Sequence, residues 1–271
     1  MLKYPNIDPV IFQLGPIAPR WYGLAYLLGF VYTYFTLKKY HEWIGLKSKD
    51  QVDSVLGTLV LWMIIGSRTT YVIFYNWEET MRGPWYEPFA VWHGGLAFHG
   101  ALMGVVLSTI YVTKKFKIPW LRLCDVLAVS TPVGLGLGRI ANFINGELWG
   151  RVTDVSWAMV FPGAGSLPRH PSQLYESFME GFVLFIVLQL VWRRKPRVGV
   201  VSGVFILSYA IIRILLEFVR EPDAQLGFIF GPFTMGQILS TVMFIGGVYL
   251  LRHALTRGAP WDSKIAAKSK K

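Results

Sequence analysis

Seven long apolar segments dominate this sequence and restrict the chain to helices in a lipid bilayer. A helix needs about 20 mostly apolar residues to cross the hydrocarbon layer, where its backbone must satisfy its own hydrogen bonds. The segments predict spans at about residues 21–37, 52–75, 95–113, 120–143, 172–192, 198–219 and 234–251. We therefore expect an all-α polytopic membrane protein, in which residues 1–251 form a single integral membrane domain.

The composition excludes several other classes of protein. Hydrophobic residues make up 53% of the 271 residues and charged residues only 16%, whereas soluble domains contain about 25% charged residues. Disorder and a water-soluble enzyme are therefore excluded. The single cysteine, Cys124, permits neither an internal disulfide nor a cysteine-based zinc cluster. Because Asp8, Pro9 and Pro16 interrupt the N-terminal segment, we expect no cleaved signal peptide.

The distribution of lysine and arginine predicts the orientation of the spans, because these residues concentrate in cytoplasmic loops. If the N-terminus lies outside, eighteen of the 27 cationic residues fall in the inner segments and six in the outer ones. We therefore expect seven spans with a periplasmic N-terminus and a cytoplasmic C-terminus. Residues 144–171 become a periplasmic segment and residues 252–271 a basic cytoplasmic tail.

The three remaining cations lie within the spans or at their margins. They are Arg68, Arg139 and Arg213. A cation inside the membrane is costly and usually functional, and the planar guanidinium group suits phosphate or carboxylate. The alternative is a structural arginine that a neighbouring acid neutralises or that carbonyl groups cap.

Two of these arginines belong to larger polar patterns. Tyr209, Arg213 and Glu217 recur every four residues and form one polar stripe on an apolar helix. Such a stripe needs a polar partner or a wet cavity opposite it, although a self-contained pair between Arg213 and Glu217 is the alternative. Arg139 and Asn142 share a helix face after the glycines of residues 134–138, which allow a close approach of another backbone or a ligand.

A pair of histidines lies among glycines where the third span begins, in the sequence WHGGLAFHG. His99 lies one turn into that span and is a candidate general base, since imidazole accepts protons near neutral pH. A structural histidine that is hydrogen-bonded to a carbonyl is the alternative. We find no third ligand at a spacing that indicates a metal site, and no motif indicates a cofactor.

Taken together, the motifs GRIANFINGELWGR, HGGLAFHG, RHPSQLYE and YAIIRILLEFVREPDAQLG resemble the bacterial prolipoprotein diacylglyceryl transferase family. The resemblance runs from about Tyr22 to Gln237. It implies an enzyme of the bacterial cytoplasmic (inner) membrane that transfers the diacylglyceryl group of phosphatidylglycerol to the lipobox cysteine of a prolipoprotein signal peptide. A thioether forms and glycerol phosphate is released, which is the first step of lipoprotein maturation.

The resemblance also implies roles for individual residues. The predicted catalytic residues are His99, Arg139, Arg213 and Glu217. The predicted phosphatidylglycerol-binding residues are Tyr26, Arg68, Arg139, Asn142, Glu147, Gly150 and Tyr209. One departure from the family pattern is the sequence GSRTTY at residues 66–71, which surrounds Arg68.

These roles form one mechanistic hypothesis. Arg139 and Arg213 clamp the lipid phosphate, and His99 or the cationic field alone helps to form the thiolate of the protein substrate. Because the thiol comes from that substrate, Cys124 is not the nucleophile. The main rival is a transporter for an anion or an anionic lipid, which also uses buried arginines but predicts repeated halves. We find no such repeat, and nothing in the sequence indicates a nucleic-acid partner.

Overall fold

The computed structural model describes residues 2–15, 18–222, 228–230 and 233–264, and these residues form mostly helices. The α-helices are α1 (Trp21–Lys39), α2 (His41–Ile44), α3 (Asp50–Tyr75), α4 (Trp77–Arg82), α5 (Phe98–Phe116), α6 (Trp120–Asn145), α7 (Ser172–Glu176), α8 (Leu184–Arg193), α9 (Val200–Leu216) and α10 (Met235–Arg257). A π-helical segment, Ser177–Val183, joins α7 to α8, and two 3₁₀ turns cover Glu87–Phe89 and Val91–His93. Two short antiparallel strands, β1 (Phe228–Phe230) and β2 (Phe233–Thr234), precede α10.

Four helices are long and apolar enough to cross a membrane: α3, α6, the continuous helix Ser172–Arg193, and α10. They coincide with four of the seven predicted spans. Helices α1, α5 and α9 occupy the other three predicted segments, and for them the crossing of the membrane stays a prediction. The chain is thus a helical protein with several membrane-length helices.

Glycine backbone geometry makes two of these helices start later along the chain than predicted. Gly94 and Gly95 have φ angles of 85° and 73°, and α5 therefore begins at Phe98 rather than at residue 95. Gly199 has a φ angle of 92° directly before α9. These left-handed conformations are favourable for glycine and interrupt a right-handed helix.

The described chain divides into two compact units. The first comprises Met1–Thr36 and Asp125–Lys264, and the second includes Leu37–Cys124. That residues 1–251 form a single membrane domain stays a prediction.

Pairs of small residues bring the helices of the first unit together. A Cβ atom added to Gly29 of α1 would lie 2.9 Å from the Cα atom of Gly134 in α6, and one added to Gly136 would lie 2.9 Å from the Cα atom of Gly181. The backbones therefore pack at a distance that only glycine permits. This confirms the prediction that the glycines of residues 134–138 allow a close approach, since Gly134 and Gly136 both contact another helix.

Buried caps fix the starts of α9 and α10 in the same unit. The Asp125 carboxylate of α6 accepts hydrogen bonds from the backbone N–H groups of Gly199 (2.6 Å) and Ser202 (2.8 Å) and from the Ser202 hydroxyl (2.6 Å). Thr234 and Gln237 form a capping box at the first turn of α10. Such contacts satisfy the N–H groups that a helix start leaves open, which is essential inside a membrane.

The segment between α6 and α7 folds against the ends of both helices. Its short bridges pair Val152 with Arg169 and Met159 with Arg169. Phe143, Met159 and Phe161 form a small buried core. The hydroxyl of Tyr4 donates a hydrogen bond of 2.6 Å to the carbonyl of Phe143, which satisfies one open carbonyl at the end of α6.

In the second unit, α3 and α5 pack through glycine. Gly66 of α3 contacts the backbones of Gly100 and Gly104 in α5. Arg122 donates a hydrogen bond of 2.6 Å from Nη1 to the carbonyl of Trp43 and stacks over its ring.

Candidate active site

Arginine and glutamate side chains form an ion-pair cluster inside the first unit, between apolar helices. Its glutamates come from α7, the π-helical segment and the end of α9, and its arginines from α6, α9 and the residues that follow α9. The cluster consists of Arg139, Glu176, Glu180, Arg213, Glu217 and Arg220. Arg139 and Arg213 are the most accessible members, with side chains 18% and 13% exposed.

The helix that starts at Ser172 carries the two central carboxylates. Glu176 and Glu180 are both 0% exposed. Between them the helix changes to the wider π-helical winding, which occurs in proteins mainly at functional sites. The Ser177 hydroxyl donates a hydrogen bond of 2.9 Å to the carbonyl of Gly136 and so fastens this segment to α6. The segment thereby directs both carboxylates at the arginines of α6 and α9.

Arg139 contacts both carboxylates through one nitrogen atom. Its Nε lies 2.8 Å from Oε2 of Glu176 and 3.3 Å from Oε2 of Glu180. Among the described residues, the two terminal nitrogens of Arg139 form no hydrogen bond. The guanidinium group is therefore anchored at its base, and its terminal fork is available to a ligand.

Arg213 lies between three carboxylates. Its Nη2 is 2.9 Å from Oε2 of Glu217, one helical turn away, and its Nη1 is 3.6 Å from Oε1 of both Glu176 and Glu180. Glu217 also accepts a hydrogen bond of 2.9 Å from the Thr234 hydroxyl. This confirms that the polar stripe on α9 has a polar partner opposite it. The pair between Arg213 and Glu217 is therefore one part of a larger group of ion pairs and is not self-contained.

Arg220 completes the cluster at the end of α9. Its Nη1 lies 3.5 Å from Oε1 of Glu176. The carbonyl of Arg220 accepts a hydrogen bond of 2.9 Å from Nε of Arg151. Because Arg151 also donates to the carbonyl of Glu217 at 3.2 Å, the chain after α9 is tied to the segment between α6 and α7.

Asn142 and Glu147 shape the loop at the end of α6. The Asn142 amide donates a hydrogen bond of 2.8 Å to Oε1 of Glu147, and Asn145 donates to the same oxygen at 3.1 Å. Gln173 of α7 donates to the carbonyl of Glu147 at 2.6 Å. Gly150 packs so closely on His170 that an added Cβ would lie 2.6 Å from the Cβ of that residue. Asn142, Glu147 and Gly150 were predicted to bind lipid, and their described contacts hold the loop in place.

The two predicted tyrosines also belong to the first unit. Tyr26 on α1 is 43% exposed, and its hydroxyl lies 3.3 Å from that of Tyr22. Tyr209 stacks on Phe205, one turn before it on α9. Electrostatic interactions link Tyr209 to Arg139, Glu180 and Arg213, and Tyr26 to Arg139. Both phenols therefore lie near the cluster.

Arg68 and His99 lie in the second unit. Arg68 is buried and donates hydrogen bonds to the backbone carbonyls of Glu87, Pro88 and Gly94, at 2.5, 3.1 and 2.6 Å. These contacts match the alternative of an arginine capped by carbonyls, and they fasten the loop that leads into α5. His99 is exposed in the first turn of α5. The predicted roles of both residues in the reaction stay predictions.

His170 lies just before α7, outside the helices of membrane length. Burial lowers the pKa of its imidazole from the ordinary value for histidine, because desolvation disfavours the charged form. Its Nδ1 lies 3.3 Å from the hydroxyl of Tyr175. The environment of His170 therefore favours the neutral form of its imidazole.

Sequence reasoning missed Glu176, Glu180 and Arg220 as members of this site. For the two acids the signal was present, since two acids four residues apart on a 22-residue apolar helix require cationic partners. The three arginines inside the spans were predicted to be functional, whereas the acids that balance them were not.

An anchored guanidinium fork next to a second arginine can bind the oxygens of a phosphate or carboxylate and stabilise charge that develops there. The fold and this cluster thus define a helical, multi-pass membrane protein with a charged site among apolar helices. Residues 9–253 match the family model described as prolipoprotein diacylglyceryl transferase. The chain belongs to this family.

Curated relatives extend over nearly the whole chain. A phosphatidylglycerol–prolipoprotein diacylglyceryl transferase of Geobacter sulfurreducens is 51% identical over 248 residues, which cover 91% of this chain and 95% of that protein. Proteins of the same name from Shewanella oneidensis and Vibrio vulnificus are 48% and 47% identical, covering 92% and 98% of this chain and 97% and 98% of the relatives.

Proposed function

We propose that this protein transfers the diacylglyceryl group of phosphatidylglycerol to the cysteine thiol of a prolipoprotein lipobox, the first step of lipoprotein maturation. The proposal places it in the bacterial inner membrane as a seven-span enzyme, with the site open to the outer side. Family membership and the names of the relatives support the reaction. The structural observation that carries the proposal is the anchored but open guanidinium fork of Arg139.

In this proposal, Arg139 and Arg213 hold the phosphate of the lipid. The two terminal nitrogens of Arg139 match two phosphate oxygens, and Arg213 approaches from α9. When the bond between the diacylglyceryl carbon and the phosphate oxygen breaks, that oxygen keeps the electron pair and becomes more negative. Two guanidinium groups that are already in place stabilise this charge without reorganising, which lowers the barrier. Glu217 orients Arg213 through their 2.9 Å contact.

The nucleophile in this reaction is the thiolate of the protein substrate, whose sulfur forms the new bond to carbon. Either of two features of the protein can assist the deprotonation of the substrate thiol. His99 is the candidate base, and the cationic field of the arginines is the alternative. Asn142, Glu147 and Gly150 form the loop next to the bound lipid. Tyr26 and Tyr209 are proposed to contact the lipid itself.

The decisive experiment is to incubate the purified full-length protein with phosphatidylglycerol vesicles and a lipobox peptide. We expect mass spectrometry to detect a diacylglyceryl adduct on the peptide cysteine, together with released glycerol phosphate. A peptide with serine in place of the cysteine is the matched control and should stay unmodified. Absence of the adduct, combined with movement of labelled lipid or phosphate across proteoliposomes, would instead identify a transporter.

A further inference from the structure

The formal charges of the six residues in the ion-pair cluster sum to zero. Ion pairs join three arginines to three glutamates, and Glu176 and Glu180 each pair with both Arg139 and Arg213. A phosphodiester that binds to the arginines adds one negative charge. Because the cluster lies among membrane helices, an uncompensated charge there is costly. A proton that binds together with the anion keeps the sum of these charges at zero.

The two fully buried carboxylates are the natural acceptors of that charge. Oε1 of Glu176 and Oε1 of Glu180 lie at the same distance, 3.6 Å, from Nη1 of Arg213. Three buried atoms at this point, Oε2 of Glu176, Oε1 of Glu180 and Nη1 of Arg213, have no hydrogen-bond partner among the described residues. Two carboxylates that share one site resist simultaneous ionisation once another negative group approaches.

We propose that Glu176 and Glu180 form a counter-ion pair that positions Arg139 and Arg213 and takes up one proton when a phosphodiester binds to these arginines. The ligand class rests on the proposed function. The proton comes from water and returns to it when the anion leaves, so no covalent bond to carbon changes. One buried site thereby stays electrically neutral both with and without its anionic ligand.

Other charged or titratable groups face the pair from every helix around it. They are Arg139 on α6, Tyr209, Arg213 and Glu217 on α9, Arg220 after α9, and, through Arg139, Tyr26 on α1. The arginines stay protonated at all relevant pH values, and the phenols ordinarily titrate near pH 10. Glu217 is engaged with Arg213 and Thr234. Glu176 and Glu180 are therefore the groups on which the added proton resides.

Calorimetry measures this proton directly. The detergent-solubilised full-length protein is titrated with short-chain phosphatidylglycerol at neutral pH, in two buffers with different enthalpies of ionisation. The difference in the heat of binding between the buffers gives the number of protons taken up. We expect about one proton per lipid, and an affinity that weakens as the pH rises, by up to about tenfold per unit. Binding of the wild-type protein without proton uptake overturns the proposal.

Matched variants locate the proton. Glu180→Gln and Glu176→Gln each remove one negative charge, so the empty cluster becomes positive and the lipid alone neutralises it. We expect the uptake to fall to about zero protons in either variant. Glu78→Gln is the control, because its side chain is 80% exposed and pairs only with Arg82 among the described residues. Uptake that persists in either of the first two variants overturns the proposal.

A conservative variant tests the positioning role. Glu180→Asp keeps the carboxyl group but withdraws it by one methylene from Nε of Arg139 and Nη1 of Arg213. We expect proton uptake to remain at about one per lipid while kcat for transfer to the lipobox peptide falls about tenfold or more. A wild-type kcat in this variant contradicts the positioning role.

The proposed function and this inference fail in different ways. If proton uptake accompanies lipid binding but no peptide is modified, the assigned reaction is wrong and the counter-ion pair stands. If peptides are modified but binding takes up no proton, the assigned reaction stands and the counter-ion pair is wrong.

Discussion

Arg139 is held at the base of its guanidinium group, and this geometry has no equivalent in lysine. Glu176 and Glu180 both contact Nε, and the terminal nitrogens remain for a ligand. A lysine offers one compact ammonium group, which must either pair with the carboxylates or bind the phosphate. We expect Arg139→Lys to lower kcat/KM for diacylglyceryl transfer by about 100-fold or more.

A matched control separates the effect of Arg139→Lys from the general effect of replacing an arginine with lysine. Arg82 has a side chain that is 79% exposed and pairs with Glu78. We expect Arg82→Lys to transfer the lipid at the wild-type rate, since an exposed ion pair contributes little. Similar rates for the two variants would contradict the phosphate clamp.

Cys124 lies in the first half of α6, half-buried, and the proposed reaction does not use its thiol. Because the substrate supplies the sulfur that forms the thioether, we expect Cys124→Ala to remain active. Transfer of labelled phosphatidylglycerol to a lipobox peptide measures this. Loss of transfer by a variant that is still folded in detergent would indicate an enzyme-bound intermediate on Cys124.

A variant of His99 tests which group assists the deprotonation of the substrate thiol. If the imidazole accepts the thiol proton, His99→Gln removes the acidic limb from the profile of kcat/KM against pH. We expect this loss of the limb together with a lower rate. An unchanged profile would remove His99 as the base and leave the field of the arginines as the cause.

At the residue scale, the sequence predicted part of the cluster. Arg139, Arg213 and Glu217 were identified because a charged group is conspicuous in an apolar span. Glu176 and Glu180 were missed, although they lie on a span and balance the same arginines. Which acid meets which arginine depends on how α6, α7 and α9 pack, and this long-range information is absent from any local pattern.

At the scale of helices, Gly136 determines how closely the π-helical segment approaches α6. A Cβ atom at this position would lie 2.9 Å from the Cα of Gly181 and 3.4 Å from the carbonyl oxygen of Ser177. We expect Gly136→Ala to push this segment away and to destabilise the protein by about 1–3 kcal/mol. Because Glu180 lies on that segment, the rate of transfer should fall as well.

Gly138 is the control on the same helix. A Cβ atom there would meet no atom within 4 Å, so alanine should be tolerated and should favour the helix slightly. Thermal unfolding of both variants in detergent measures the difference. Equal unfolding temperatures would show that the close approach at Gly136 is not required.

Helix positions were predicted well and their ends less well. Hydropathy placed a helix in each of the seven predicted segments, because the apolar runs are long. The ends depend on local backbone geometry, such as the positive φ angles at Gly95 and Gly199. The π-helical segment at Ser177–Val183 has no hydropathy signal, and its Gly181 packs closely against Gly136, a contact between helices that hydropathy does not reveal.

At the scale of the whole molecule, the excess positive charge and the ligand site belong to different groups of residues. Among the 27 lysines and arginines, the predicted inner loops hold most of the charge. If these loops face the cytoplasm as predicted, we expect their lysines and arginines to attract anionic lipids of the inner leaflet. The cluster in the first unit contributes nothing to the net charge of +11, because its arginines and glutamates cancel.

The charge distribution predicts the orientation of the chain, and single cysteines test this prediction. In the Cys124→Ala background, Ser166→Cys places a thiol in the predicted periplasmic segment and Arg194→Cys places one in a predicted cytoplasmic loop. Both positions are exposed. In intact spheroplasts, we expect a membrane-impermeant maleimide to label residue 166 at once and residue 194 only after permeabilisation. Labelling in the opposite order would invert the topology and direct the site toward the cytoplasm, where a lipobox on the outer side of the membrane would not reach it.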